Sequence, residues 1–125
     1  MNSMVIPCID LQGGKVVQLV QGRERALEGQ APLEMLRRFE AFPEVQVIDL
    51  DAATGEGSND AIVEMLAGRA TVRIGGGVRT PERAAKLVSQ GAHRVIVGTA
   101  ALDPVLLREI SAAAGRERLI VALDS

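Results

Sequence analysis

Aromatic side chains are almost missing from this sequence, which has two Phe, no Trp and no Tyr in 125 residues. Stacking on nucleic-acid bases leans on such rings, and a formal net charge of -2 supplies no basic surface for a phosphate backbone. Nucleic-acid binding is therefore not expected. The single cysteine, Cys8, has no partner for an intramolecular disulfide. Sitting in an apolar run, it reads as a small core thiol in a reducing, cytoplasmic setting. Long apolar runs are lacking too. No stretch approaches the ~18 consecutive apolar residues of a membrane span, and no basic segment precedes the short apolar run at the N-terminus. Neither a membrane partner nor export is expected. The lone His93 falls at the N-terminal end of a strand and reads as structural or solvated. What remains, 47% hydrophobic and 24% charged residues, is the composition of one ordinary globular domain spanning residues 1–125.

The most informative stretch is Val72-Arg73-Ile74-Gly75-Gly76-Gly77-Val78-Arg79-Thr80-Pro81. A β-branched run ends in three glycines, and Thr80-Pro81 reads as an N-cap with proline at the first helical position. A strand, a tight loop and a helix start in that order suit an anion, because the loop backbone can approach closely and its N–H groups join the positive helix end. The same glycines are equally explained by chain geometry alone. A second strand end, Val95-Ile96-Val97-Gly98-Thr99-Ala100-Ala101, repeats the pattern, with Asp103-Pro104 opening the next helix. Two adjacent strand ends of this kind can share one phosphate.

Along the chain, Met4 to Leu11 reads as a buried strand closed by Asp10 and a glycine pair. Lys15 to Arg25 reads as a mobile loop with some extended structure. Pro32 to Phe42 carries Leu33, Leu36 and Phe39 at helical spacing, stopped by Pro43. Val45 to Asp51 is the second strand, ending in carboxylates. Ala52 to Gly57 loops to Ser58, read as the N-cap of a helix presenting Ile62, Met65 and Leu66. After the glycine-ended third strand, a helix from Pro81 turns Ala84, Leu87 and Val88 inward and stops at Gly91. A fourth strand, Arg94 to Val97, precedes a helix from Pro104 with Leu106, Leu107 and Ile110, ending near Gly115. The last strand is Leu119 to Asp124.

Short apolar strands alternating with amphipathic helices predict a parallel sheet with right-handed crossovers. An open doubly wound sheet and part of a TIM (β/α)8 barrel both meet that description. The barrel is favoured because polar or glycine residues close every strand: Asp10, Asp49 or Asp51, Gly75 to Gly77, Gly98 and Asp124. Barrel enzymes build their sites at that end. The expected fold class is thus α/β, a parallel (βα)4β portion of the barrel.

Pro7-Cys8-Ile9-Asp10-Leu11, Gly14 to Gly22, Asp49-Leu50-Asp51-Ala52-Ala53, Gly75-Gly76-Gly77-Val78-Arg79, Gly98-Thr99-Ala100-Ala101 and Val121-Ala122-Leu123-Asp124 together resemble one family. It is the phosphoribosylformimino-5-aminoimidazole carboxamide ribotide isomerase of histidine biosynthesis. The cyclase subunit of imidazole glycerol phosphate synthase shares the half-barrel plan, but Asp-Leu-Asp-Ala-Ala is more similar to the isomerase. The family forms a complete barrel of about twice this length. The resemblance implies an Amadori rearrangement of a phosphorylated aminoaldose to an aminoketose, with Asp10 as base and Asp124 as acid. It further implies that Gly76, Gly77, Gly98 and Thr99 form one of two phosphate sites, with Arg79 either assisting or simply on the surface. Gln18 stands where many members have an arginine that helps bind substrate. No metal or other cofactor is expected.

The family's second phosphate site and a sixth-strand threonine have no counterpart before Ser125. Two function classes follow: an isomerase working in a completed barrel, or a non-catalytic half-barrel that binds a phosphorylated ligand or assembles with a partner. Open edges on the first and fifth strands, with a wet apolar inner face, predict self-association or pairing with a complementary C-terminal half.

Overall fold

A computed structural model describes residues 6–20, 23–26, 31–98 and 103–122, with the side chains of 18–20 and 23–26 left outside the description. Its strands are β1 (Cys8–Gln12), β2 (Lys15–Val20), β3 (Arg23–Ala26), β4 (Val45–Asp49), β5 (Val72–Gly75), β6 (Arg94–Gly98) and β7 (Leu119–Ala122). Its helices are α1 (Pro32–Arg38), α2 (Leu50–Thr54), α3 (Asp60–Ala67), α4 (Pro81–Ser89) and α5 (Pro104–Ala114). One sheet in the order β3-β2-β1-β4-β5-β6-β7 joins all the strands, and its two ends do not meet. β1, β4, β5, β6 and β7 are mutually parallel, whereas β2 and β3 add antiparallel outside β1.

Alternation along the strands decides where the core sits. Ile9, Leu11, Val45, Val47, Val72, Ile74, Val95 and Val97 are buried and join Met35, Leu36, Val63, Leu66, Ala84, Leu87, Ile110 and Ala114 of the helices in one core. Each Val, Leu, Ile or Met side chain among them contributes about 1.5–3 kcal/mol on leaving water. The intervening residues Gln46, Ile48, Arg73, Arg94, Ile96 and Ile120 take no part in that core and are only half-buried. All the helix packing is therefore on one face, as in a barrel wall, and the doubly wound alternative falls away. This is a partial α/β barrel with an open sheet.

The two proline-led helix starts form as the sequence implies. Thr80 Oγ1 accepts from the Arg83 amide at 3.1 Å, and the Asp103 carboxylate accepts from the Leu106 amide at 2.8 Å. Each cap satisfies an amide that the first turn leaves without a partner.

Several local expectations are corrected. Lys15 to Val20 is a strand rather than a loop. Gly13 and Gly14 both have positive φ, 59° and 76°, and make the two-residue turn that folds β2 back onto β1. Val16 and Val17 are buried by it. The second strand stops at Asp49, because Asp49 caps α2 over residues expected to be strand and loop. Asn59, not Ser58, precedes α3. There Leu66 is buried and Ile62 packs against the core as expected, but Met65 is exposed and Val63 is buried in its stead. α1 stops at Arg38, short of Pro43, with Phe39 closing its last turn. Cys8 is exposed, because it alternates with the buried Ile9 and falls on the face without helices.

Candidate active site at the strand ends

Parallel strands bring their C-terminal ends to one edge of the sheet, and most of the sequence-expected residues gather there. Asp10 lies on β1 in register with Ile48 of β4, on the helix-free face, half-buried. The Cys8 thiol donates to Asp10 Oδ1 at 3.4 Å, and Gln46 Nε2 approaches the same sulfur at 3.8 Å. Loss of hydration at the sulfur, the Asp10 charge and the bond to it push the Cys8 thiol up to about 12, against a smaller opposing effect of Gln46. At neutral pH the thiol is a proton donor to Asp10 and not a nucleophile.

Gly75 to Gly77 leave β5 beside the end of β6, where Gly98 is paired with Ala122 of β7. The two glycine-ended strands are neighbours, as the shared-phosphate reading requires. Packing also accounts for the first pair of loop glycines. Gly76 and Gly77 have φ of 106° and 69°, and a Cβ would run into the Asp49 carbonyl at Gly76 and into the Ala52 carbonyl at Gly77. The β5 loop is thus pressed against the start of α2. Arg79 holds the same junction from outside, its exposed guanidinium donating from Nη2 to the Ala53 carbonyl at 3.1 Å. Gln18 lies on β2, paired with Arg25 of β3, and its side chain is outside the description. Thr99 and Asp124 lie outside the described residues. His93 is exposed at the opposite, N-terminal edge, where its amide bonds the Val72 carbonyl.

A group that sequence reasoning missed sits between β1 and β4. Asp49 is fully buried and accepts from the Ala52 amide at 3.1 Å, the Asn59 amide at 2.7 Å and Asn59 Nδ2 at 2.8 Å. Asn59 Nδ2 also reaches Asp51 Oδ2 at 2.9 Å, and Asn59 Oδ1 accepts from the Gly14 amide at 3.0 Å. Asp51 Oδ2 accepts from the Gly13 amide at 2.7 Å. The bond from Gly13 and then that from Asn59 hold the Asp51 carboxyl below its usual range. Two carboxylates and one amide thereby pin the β1–β2 turn to α2 and the front of α3. The signal was present in the sequence as two acids and an asparagine within eleven residues, but their spacing matches no metal or catalytic motif.

At the other end of the sheet, a cleft of about 340 Å³ opens between α1 and the turn before β5, over Leu33, Leu36, Phe39 and Val45, with Arg37 and Arg69 on its rim. It lies on the helix-bearing face, with Val45 three residues along β4 from Ile48, the register partner of Asp10. Among the described residues no three His, Cys, Asp or Glu side chains are grouped to hold a metal ion, and no helix is long and apolar enough to cross a membrane.

One-sided helix packing, a parallel sheet and polar groups at the strand ends define part of a (β/α)8 barrel of the enzyme-bearing type. The chain belongs to the histidine biosynthesis protein family, whose model matches residues 4–125. It is similar to proteins named 1-(5-phosphoribosyl)-5-((5-phosphoribosylamino)methylideneamino)imidazole-4-carboxamide isomerase. The Methanothermobacter thermautotrophicus protein is 38% identical over 129 residues, covering 98% of this chain and 54% of that protein. For Methanopyrus kandleri the figures are 44% over 106 residues, 81% and 44%, and for Deinococcus radiodurans 37% over 128 residues, 97% and 54%. The chain spans about half the length of these relatives.

Proposed function

We propose that this chain is the N-terminal half of an aldose–ketose isomerase that carries out an Amadori rearrangement on a phosphoribosylated aminoimidazole carboxamide ribotide, and that it acts when its barrel is completed. The observation that carries the reading is the position of Asp10: a carboxylate on the helix-free face near the end of β1, at the edge where the glycine loops of β5 and β6 also end. The rearrangement needs a proton delivered to open the ribose ring and a proton taken from C2. Asp10 serves as the base and Asp124 as the acid. β1 and β7 are four strand spacings apart, ~19 Å along the sheet. Only curvature into a closed barrel lets groups at their ends flank one substrate.

Gly98 and Thr99, with the amides of the Gly76-Gly77 loop, hold one substrate phosphate. Gln18 contributes to binding from the hairpin, and Arg79 fixes the loop by its bond to Ala53. A self-associated copy or a complementary half closes the sheet, and the free thiol fits a cytoplasmic setting. The test is single-turnover isomerisation by the completed assembly. Asp10→Asn and Asp124→Asn should each lower turnover by about 10²-fold or more with binding retained. Parental rates in both variants would leave the second reading, a phosphate-binding module without catalysis.

A further inference from the structure

Both aromatic side chains of the chain, Phe39 and Phe42, line the cleft beside α1. They meet edge to face with ring centroids 6.1 Å apart, and Phe42 remains 39% exposed. Of the apolar stripe that α1 turns inward, Leu36 is buried, whereas Leu33 and Phe39 are only partly covered and leave apolar surface in the cleft wall. Two cations flank that surface from different elements. Arg37 stands in the last turn of α1 and Arg69 in the turn after α3, and neither pairs with an acid among the described residues. Glu40 is the one acid on the lining, so the rim keeps a positive excess.

We propose that this cleft binds a small aromatic carboxylate, its ring against Phe42 and Leu33 and its charge held by Arg37 and Arg69. The site is separate from the strand-end chemistry, on the face of the sheet opposite to Asp10, and its walls are α1, the turn after α3 and the start of β4. Nothing in it waits for the barrel to be completed. A volume of about 340 Å³ is near the lower bound of roughly 300–1,000 Å³ for ligand sites, which suits one compact ring system. An open ring beside aliphatic side chains gains from edge or offset contact with a second ring. A guanidinium presents a planar fork that matches a carboxylate. An uncharged ring in the cleft would strip water from the arginines and leave them unpaired, and a simple inorganic anion would leave the apolar wall wet. Helix C-terminal ends also favour cations, and Arg37 and Arg69 both lie at such ends. That accounts for the charge but not for the two rings left open between the arginines.

The chain has no Trp or Tyr, so 2-naphthoate fluorescence reports binding with little protein background. Titration of the 125-residue chain should show saturable one-to-one binding, with 2-naphthamide, the uncharged analogue, about 10-fold weaker. Arg37→Gln and Arg69→Gln should each weaken 2-naphthoate about 10-fold, and Phe42→Ala about 5-fold. Asp10→Asn and inorganic phosphate should leave it unchanged. Circular dichroism melts of each variant accompany the titrations. If the arginines serve only as helix-end cations, the two Gln variants melt lower and bind like the parent, and the proposal fails. Equal affinity in Phe42→Ala and the parent would overturn it by placing the probe on the open face of the sheet. Displacement by phosphate would overturn it by placing the probe at the glycine loops.

Discussion

Asn59 and Asp49 are joined twice, amide to Oδ2 at 2.7 Å and Nδ2 to Oδ1 at 2.8 Å, around a carboxylate with no exposure to solvent. The buried charge is tolerable because three donors surround it. Asn59→Ala removes one of those donors, the side-chain amide on Asp51, and the acceptor for Gly14. The loss should be about 3 kcal/mol, since hydrogen bonds to a buried charge are worth more than neutral ones. Urea unfolding of the parent and variant checks it, with Ser58→Ala as a control expected to change little.

Acid should loosen the same region. The Asp51 carboxyl lies below its ordinary value of 3.8 because Gly13 and Asn59 bind its ionised form. Asp60 of α3 is also lowered: burial pushes it up, but Lys86 at 2.9 Å and Arg83 at 2.8 Å outweigh that. A depressed carboxyl stabilises the fold above its unfolded pKa, and the stabilisation is lost as pH falls through the folded value. Stability should therefore hold down to about pH 4 and fall below it. Asp60→Asn should flatten this acid limb and cost about 1 kcal/mol at neutral pH. Thermal melts from pH 7 to pH 2.5 give the measurement.

Gly77→Ala separates packing from ligand binding. Its φ of 69° and the approach of the Ala52 carbonyl make the variant strained, with an expected loss of about 1–3 kcal/mol even without ligand. Thr99→Val should leave the melting temperature unchanged and weaken inorganic phosphate binding about 5-fold, the worth of one hydrogen bond. Calorimetric titration of both variants decides whether the glycines and the hydroxyl have these separate roles.

Cys8 is exposed yet held near a proton by Asp10 and by loss of hydration, with its thiol pushed up to about 12. Alkylation by iodoacetamide follows the thiolate. It should be slow at pH 8 and show no plateau near pH 9, where an ordinary thiol is already largely ionised. Asp10→Asn should speed it, and a rate profile from pH 7 to pH 10 reads both effects.

Local signals in the sequence carried much of this architecture. Thr80-Pro81 and Asp103-Pro104 each place a capping oxygen three residues from the amide it serves, and both caps form. The strand-then-glycine pattern correctly put Asp10, Gly76, Gly77 and Gly98 at one edge. What escaped depends on partners distant in the chain. Asp49 and Asp51 look like alternate residues of one strand, but Asp49 turns the chain into α2 by binding Ala52 and Asn59, so they share no strand face. Asp51 then finds Gly13, 38 residues away. Polar Arg23 to Arg25 concealed β3, which pairs with β2, while the Gly13-Gly14 turn folds β2 onto β1. Alternation in β4, β5 and β6 fixed the buried side correctly, while Arg73 and Arg94 on the other side carried no local sign that they would be neighbours.

From β1 through β4, β5, β6 and β7, the parallel strands lie in the order in which they are synthesised, each beside the one before. The helix linking two such strands covers a face already laid down, so a growing chain can add strand and cover together without waiting for distant segments. The hairpin of β2 and β3 fills the far side of β1 early and blocks its upper edge from pairing with later strands. Assembly is thereby given a direction, outward from β1 toward β7.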